Sequence, residues 1–301
     1  MNVSILVPAH NEAANIETLL ESLLTQETRE AHIIEIVIVA SGCTDNTAEL
    51  ARKAARGRPG MHVVVQERRA GKVAAINEYL HVRDKRADVI VISSADIRVG
   101  PDVVEKIVCC MRDRPTVGMV GAHPVPDNDT NSMLGRMVHV LWELHHRVAV
   151  ETPKMGELVA FRASLVDRVS ELSVVDEASV EDIVLSKGYE LAYLGDAMVT
   201  NHGPERLSEY FEQRRRIARG HYWLSFAFGY DVATMKGRRL LRIATKMLRE
   251  QDRKGQKAIG AAIAVEVAAR AAGFVDARII GGRHRTWRSL TSTKQLRKKE
   301  T

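Results

Sequence analysis

At 301 residues, with 45% hydrophobic and 27% charged residues, the chain has the make-up of an ordinary globular protein and the length to bury a large core. That excludes a disordered or fibrous chain. Its net charge of +6 is the sum of two opposed parts: residues 1–203 carry 21 Lys and Arg against 29 Asp and Glu, or −8, and residues 204–301 carry 23 against 9, or +14. The basic C-terminal third points to an anionic partner, whether lipid headgroups, nucleic acid or a diphosphate. The three cysteines, Cys43, Cys109 and Cys110, fit neither a zinc site nor a disulfide framework, so a reducing cytoplasm is expected. No basic stretch precedes the first apolar run, and residues 1–8 read as a strand rather than a signal peptide.

The first ~120 residues alternate strand-like and helix-like patterns, which predicts βαβ units and a mainly parallel sheet. Residues 3–7 form the first strand, and residues 11–26 a helix with Ile16, Leu19, Leu20, Leu23 and Leu24 on one face. Residues 33–39 form the second strand, and residues 41–47, rich in capping side chains, open the next helix. Residues 63–65 and 72–80 are the third strand and its helix. Residues 89–93, five strand formers in a row, read as a strand buried on both faces. Gly100-Pro101-Asp102 then opens a helix through Val103, Val104, Ile107, Val108 and Met111.

Farther along, residues 117–122 read as a strand, 132–150 as a long helix and 179–182 as the start of a short one. From Glu205 the pattern is helical and basic. Residues 258–272 are apolar but interrupted by Glu266 and Arg270, short of the ~18 uninterrupted apolar residues of a spanning helix. The segment reads as a buried or an interfacial helix, the buried form favoured, with Glu266 and Arg270 neutralising each other four residues apart. The last ~20 residues are a basic tail, with Arg283, Arg285, Arg288, Lys294, Arg297, Lys298 and Lys299 around Trp287, suited to solvent or to lipid headgroups.

Chemistry is expected beyond the carboxyl ends of the parallel strands. Asp96 stands there, after the fourth strand, in Ser94-Ala95-Asp96; it is either a helix cap, an ion-pair partner or a metal ligand. Pro8-Ala9-His10-Asn11-Glu12, Ser41-Gly42-Cys43-Thr44-Asp45 and Arg69-Ala70-Gly71-Lys72 follow the other three strands, so four polar strand ends converge on one cleft. In the second half, Glu181-Asp182 reads as a capping pair at a helix start, and Gln213, Arg216 and Arg219 line one face of a helix. Arginine's planar fork suits phosphate oxygens, so that face either receives a diphosphate or is a solvated basic stripe.

Residues 8–12, 41–47, Ser94-Ala95-Asp96, Glu181-Asp182 and Gln213–Arg216 together resemble, in order and approximate spacing, the motifs of the family 2 glycosyltransferases, inverting enzymes with the GT-A fold. The resemblance covers residues 3–220. It implies an α/β fold of GT-A type, a Rossmann-like mixed but mainly parallel sheet flanked by helices, over residues 1–230, with a basic helical region over 231–301. It implies transfer of a hexosyl or N-acetylhexosaminyl group from a nucleotide-sugar donor to a hydroxyl of a sugar, lipid-linked or small-molecule acceptor.

Residue by residue, the resemblance implies that Pro8, Ala9, Asn11, Glu12 and Ser41 line the nucleotide site, with Asp45 supporting its loop. Lys72 approaches the phosphates. Ser94, Ala95 and Asp96 form the metal-bearing strand end, Asp96 holding Mg²⁺ or Mn²⁺. Asp182, beside Glu181, is the implied general base, and Gln213 and Arg216 hold the departing pyrophosphate. Gly156 and Glu157 face the sugar or acceptor. Three positions depart from the pattern: Ala40-Ser41 where an acid pair is usual, Ser94 where the metal motif has an acid, and Ile217 where near relatives have Trp. A donor other than a UDP-sugar is therefore compatible.

The expected setting is a cytoplasmic, cell-envelope enzyme in peripheral contact with an anionic membrane, with no nucleic-acid partner. Two other readings share these features: a metal-dependent nucleotidyltransferase, and a non-catalytic membrane-associated protein that retains the fold. The first lacks the Gly-rich, basic loop expected after its first strand.

Overall fold

The strand β4 (Val89–Ser93) is the centre of the molecule: all five residues are at most 3% exposed. This is the computed structural model of the chain, and it describes residues 1–170, 176–229, 237–279 and Leu296. Beside β4 run β1 (Asn2–Ala9), β2 (His32–Ser41) and β3 (Met61–Gln66), all parallel. The other side is mixed, with β5 (Ile97–Val99), β6 (Val117–Pro126), β7 (Leu158–Arg162) and β8 (Glu190–Asn201). Strand β7 is antiparallel to both β4 and β6, β6 is parallel to β8, and β5 is antiparallel to β8. The sheet order is β3-β2-β1-β4-β7-β6-β8-β5.

Helices cover both faces, as the apolar runs require. On one face Leu19, Leu20 and Leu23 of α1 (Ile16–Leu24) join Val103, Val104 and Ile107 of α4 (Val103–Asp113), with α2 (Thr47–Ala55) contributing Ala51. On the other face Ile76, Tyr79 and Leu80 of α3 (Lys72–Val82) meet Val180 and Val184 of α6 (Asp176–Ser186). A helical layer is built from α5 (Met133–Glu151), α7 (Leu207–Phe228), α8 (Gly237–Glu250) and α9 (Arg253–Ile279).

Several elements differ from the sequence reading for local reasons. Helix α1 begins at Ile16, not residue 11, because Asn11 is left-handed (φ 54°) and the Ala13 N–H donates to Asp45. Helix α6 begins at Asp176, so Glu181 and Asp182 sit in its middle and the helix-start reading of that pair is wrong. Strands β5, β7 and β8 had no counterpart in the sequence reading. Helix α5 matches closely: Ser132 caps it, its hydroxyl accepting from the Gly135 N–H at 2.9 Å. The basic tail around Trp287 lies outside the described residues.

Helix α9 is locked to α7 through charge. The Glu266 carboxylate accepts from Arg214 Nε and from Arg270 Nε, both at 2.7 Å, and Asp276 accepts from Arg215 Nε at 2.7 Å. Burial alone would raise the Glu266 pKa, but the charges and hydrogen bonds of Arg214 and then Arg270 outweigh it and hold it at about 2. Gly273 of α9 sits so close to α7 that a Cβ there would lie 2.8 Å from the Arg215 carbonyl oxygen.

The four polar strand ends are equally tightly fitted. At Gly42 (φ 56°) a Cβ would lie 2.3 Å from the Arg69 backbone nitrogen, so only glycine lets the β2 and β3 loops meet. Gly42→Ala is therefore expected to destabilise the protein by about 1–3 kcal/mol in denaturant unfolding, combining the left-handed backbone with the clash. Glu266→Gln leaves two arginines around a neutral group and is expected to cost about 3 kcal/mol at neutral pH. Because the folded pKa of Glu266 is depressed, its contribution is complete above the unfolded value near 4.5 and fades as pH falls toward about 2. Denaturant midpoints of wild type and Glu266→Gln measured down that range should converge; a constant gap would refute the assignment.

Candidate active site

The strand ends open into one cavity of about 1030 Å³ that continues into the α5–α8–α9 layer. Its near wall is the carboxyl edge of the parallel strands. Pro8, Ala9 and Glu12 line it after β1, Ser41 after β2, Arg69 to Lys72 after β3, and Ser94, Ala95 and Asp96 after β4. The loops are tied to each other by hydrogen bonds. His10 Nδ1 lies 2.7 Å from the Ser41 carbonyl, the Glu12 N–H donates to Thr47 Oγ1 at 2.7 Å, and Asp45 accepts from the N–H groups of Ala13 and Thr47. Asn11 does not line the cavity; its side chain accepts from the Thr44 N–H at 2.8 Å and so shapes the loop instead.

Across from Asp96 stands Glu157, in the segment leading into β7. The Ser94 hydroxyl donates to Glu157 Oε2 at 2.7 Å. Burial first, then the Asp96 charge, push the Glu157 carboxyl up to about 7 against the pull of Ser94 and Lys72. Two carboxylates thus face one another at the strand end. Gly156 and Glu157, assigned by resemblance to the acceptor side, are brought next to the metal-motif strand. Among the described residues no group of three or more His, Cys, Asp and Glu side chains is arranged to hold a metal. The all-oxygen pair of Asp96 and Glu157 nevertheless fits a hard divalent cation that takes its remaining ligands from phosphate and water.

The far wall carries cations. Gln213 and Arg216 of α7 line the cavity, and burial lowers the Arg216 pKa against the opposing charges of Glu157 and Asp96. Arg219, one turn on, is buried but is not part of the lining. Lys72 Nζ pairs with Glu177 Oε1 of α6 at 2.5 Å. Glu181, also on α6, lines the cavity and accepts from the Met155 N–H at 3.1 Å. Asp182 is exposed and outside the cavity, because one residue along a helix turns the side chain about 100° away.

Sequence reasoning missed Glu177, Lys154, His145, His221 and Arg214, all of which line the same cavity. The signal for Glu177 was its spacing of four from Glu181, which puts both on one helix face. Burial first, with Arg214 adding to it, lowers the Lys154 pKa; burial followed by the Lys154 charge holds His145 and His221 well below the usual histidine range. His202 has both ring nitrogens engaged, Nδ1 by Asp127 and Nε2 by Glu205 at 3.1 Å, and its pKa is raised chiefly by the Asp127 hydrogen bond. It acts as a loop clasp with no ring nitrogen left for a metal.

The model of Glycosyl transferase family 2 matches residues 4–162. Over 233 residues the chain is 27% identical to poly-beta-1,6-N-acetyl-D-glucosamine synthase of Staphylococcus aureus (strain COL), covering 72% of this chain and 54% of that protein. The chain spans about half the length of the curated relatives it matches. It also resembles mannosyltransferase PcManGT from Pyrobaculum calidifontis, solved with GDP-Man and Mn²⁺, at a TM-score of 0.61 and 22% identity over 93% of this chain and 85% of that one. S. aureus TarS 1-349, solved with UDP-GlcNAc, aligns at a TM-score of 0.52 and 14% identity over 92% of each. The structural likenesses establish the GT-A fold, and the sequence match, which takes in β1 through β7 and more than half of the chain, makes this protein a member of glycosyltransferase family 2.

Proposed function

We propose that the chain is an inverting glycosyltransferase that moves a sugar from a nucleotide-diphosphate donor to an acceptor hydroxyl. The observation that carries this reading is the meeting of Asp96, Lys72, Arg216 and Glu177 in one cavity on elements far apart in sequence. Asp96, with Glu157 beside it, would hold Mg²⁺ or Mn²⁺, which supplies charge neutralisation for the donor's diphosphate when bound. Arg216 and Lys72 stabilise the negative charge that builds on the leaving nucleoside diphosphate, with Gln213 donating beside them.

A carboxylate takes the proton from the acceptor hydroxyl as its oxygen bonds to the anomeric carbon. The bond from that carbon to the phosphate oxygen breaks, its electron pair leaves with the diphosphate, and one displacement inverts the centre. We assign the base role to Glu177 rather than Asp182, since Glu177 lines the cavity while Asp182 points to solvent. Residues 1–230 then carry the donor chemistry, and the helices beyond form the acceptor end. The basic C-terminal third supports a peripheral site on an anionic membrane at its cytoplasmic face.

Release of nucleoside diphosphate from a panel of nucleotide-sugars with Mn²⁺ tests the reading; release of pyrophosphate would instead support nucleotidyl transfer. Glu177→Gln is expected to lower kcat about 100-fold or more while nucleoside diphosphate still stabilises the fold in thermal melts. Asp182→Asn should remain near wild type. The opposite pattern returns the base role to Asp182.

A further inference from the structure

The cavity is far larger at one end than the proposed donor chemistry uses. Between α5, α8 and α9 its lining is mostly apolar, with Leu144, Ala244, Met247, Ile259 and Ala262, and the charged residues α9 adds, Glu266 and Arg270, are paired with each other and with Arg214. At about 1030 Å³ the whole cavity is at the top of the range of sites that take one drug-sized ligand. Protein interiors leave few voids larger than a water molecule, and an apolar lining gives water no partners, so the apolar end of the cavity suits an apolar occupant.

The chamber also has a way in. Leu241 (70% exposed), Ile263 (41%) and Val267 (63%) line it and face solvent, forming an apolar rim on α8 and α9. The same two helices carry exposed cations: Arg242, which pairs with Glu151, Lys246 and Arg249 on α8 and Lys254 and Lys257 on α9. Apolar side chains beside cations on one pair of helices are the pattern of a segment lying in the headgroup layer of an anionic bilayer. At the inner end, Lys154 stands where the apolar lining meets the carboxylates and arginines of the donor cleft.

We propose that the acceptor is a lipid supplied by an anionic bilayer, its long hydrocarbon chain seated between α5, α8 and α9 and its hydroxyl-bearing head at the donor cleft. This rests on the transferase reading, because it is the continuity of the chamber with the donor cleft that makes the lipid an acceptor. The rim admits the chain from the membrane, and the charged side chains around Lys154 mark where the apolar seat gives way to the donor cleft.

The test uses the full chain with two probes. The fluorescent fatty acid cis-parinaric acid should bind saturably, and both Ala244→Trp, which fills the chamber, and Leu241→Glu, which charges the rim, should weaken it about tenfold or more. Leu241 is a surface position, so its variant remains folded even where the larger Trp is not tolerated. In both variants thermal stabilisation by nucleoside diphosphate with Mn²⁺ should match wild type. The chain should also co-sediment with phosphatidylglycerol vesicles at low salt, and Leu241→Glu should release it. Absent or unaltered fatty-acid binding with donor stabilisation intact overturns the lipid chamber and leaves the transferase reading standing. Fatty-acid binding without vesicle binding overturns the bilayer as the source. A wild-type chain that gains no stability from any nucleoside diphosphate removes the transferase reading, and the acceptor assignment with it.

Discussion

Arg214 fixes the rotation of α7, and with it the geometry of the site. Its Nε and Nη2 fork onto the buried carboxylate of Glu266 in α9, at 2.7 and 3.2 Å. Residues two apart on a helix point about 200° from each other, so holding Arg214 toward α9 turns Arg216 toward the carboxylates at the strand ends. A planar guanidinium bound through two nitrogens resists rotation in a way that a lysine could not. The helical region that a sequence reader sets aside as an appendage is thus what aims Arg216 at the carboxylates of the strand ends.

The cavity is electrostatically tense before any ligand arrives. Asp96, Glu157, Glu177 and Glu181 share it with Lys72, Lys154, Arg214 and Arg216, all partly or wholly withdrawn from water. The consequence is visible in Glu157, whose carboxyl rises to about 7 because burial and Asp96 both oppose its charge. On the transferase reading proposed above, a divalent cation carried in with a diphosphate would answer both needs at once, its positive charge for the acidic strand end and its anionic partner for Arg216 and Lys72. Ser94 takes part by donating to Glu157, so the residue that replaces the usual acid orients the acid that remains nearby.

The parallel half of the fold was legible because its signal is strong. A strand buried on both faces, such as residues 89–93, is an uninterrupted apolar run, and the turn chemistry after each strand is explicit in Ser41-Gly42 and Gly71-Lys72. Strand β8 was invisible for the converse reason: half-exposed, with Gly195 and Asp196 in its middle and a register shift against β6, it shows neither a run nor a clean alternation. The acidic helix was misread because adjacent acids look like a pair. The helix carries Ala178, Val180 and Val184 inward, which places Glu177 and Glu181 along the cavity wall and Asp182 in solvent. Periodicity, which places side chains, outweighs adjacency, which does not.

Helix α9 posed a choice between a buried and an interfacial segment, and it is buried along one side and exposed along the other. Gly255, Ala258, Ile259, Ala262, Ala269, Gly273 and Ala277 are buried, and small residues at that seam let α9 lie against α7. Ile263, Val267, Val275 and Ile279 are exposed, so apolar side chains ring the helix and mask its two-sidedness in any average. An 18-residue window of α9 has a mean hydropathy of 1.7, yet only 28% of it is buried, and the charged Glu266 and Arg270 face α7 rather than solvent. Between Ala258 and Ala277 the charges Glu266, Arg270 and Asp276 are held in ion pairs while Ile263, Val267, Phe274 and Val275 are exposed, so this stretch has the reverse polarity of a water-facing surface helix.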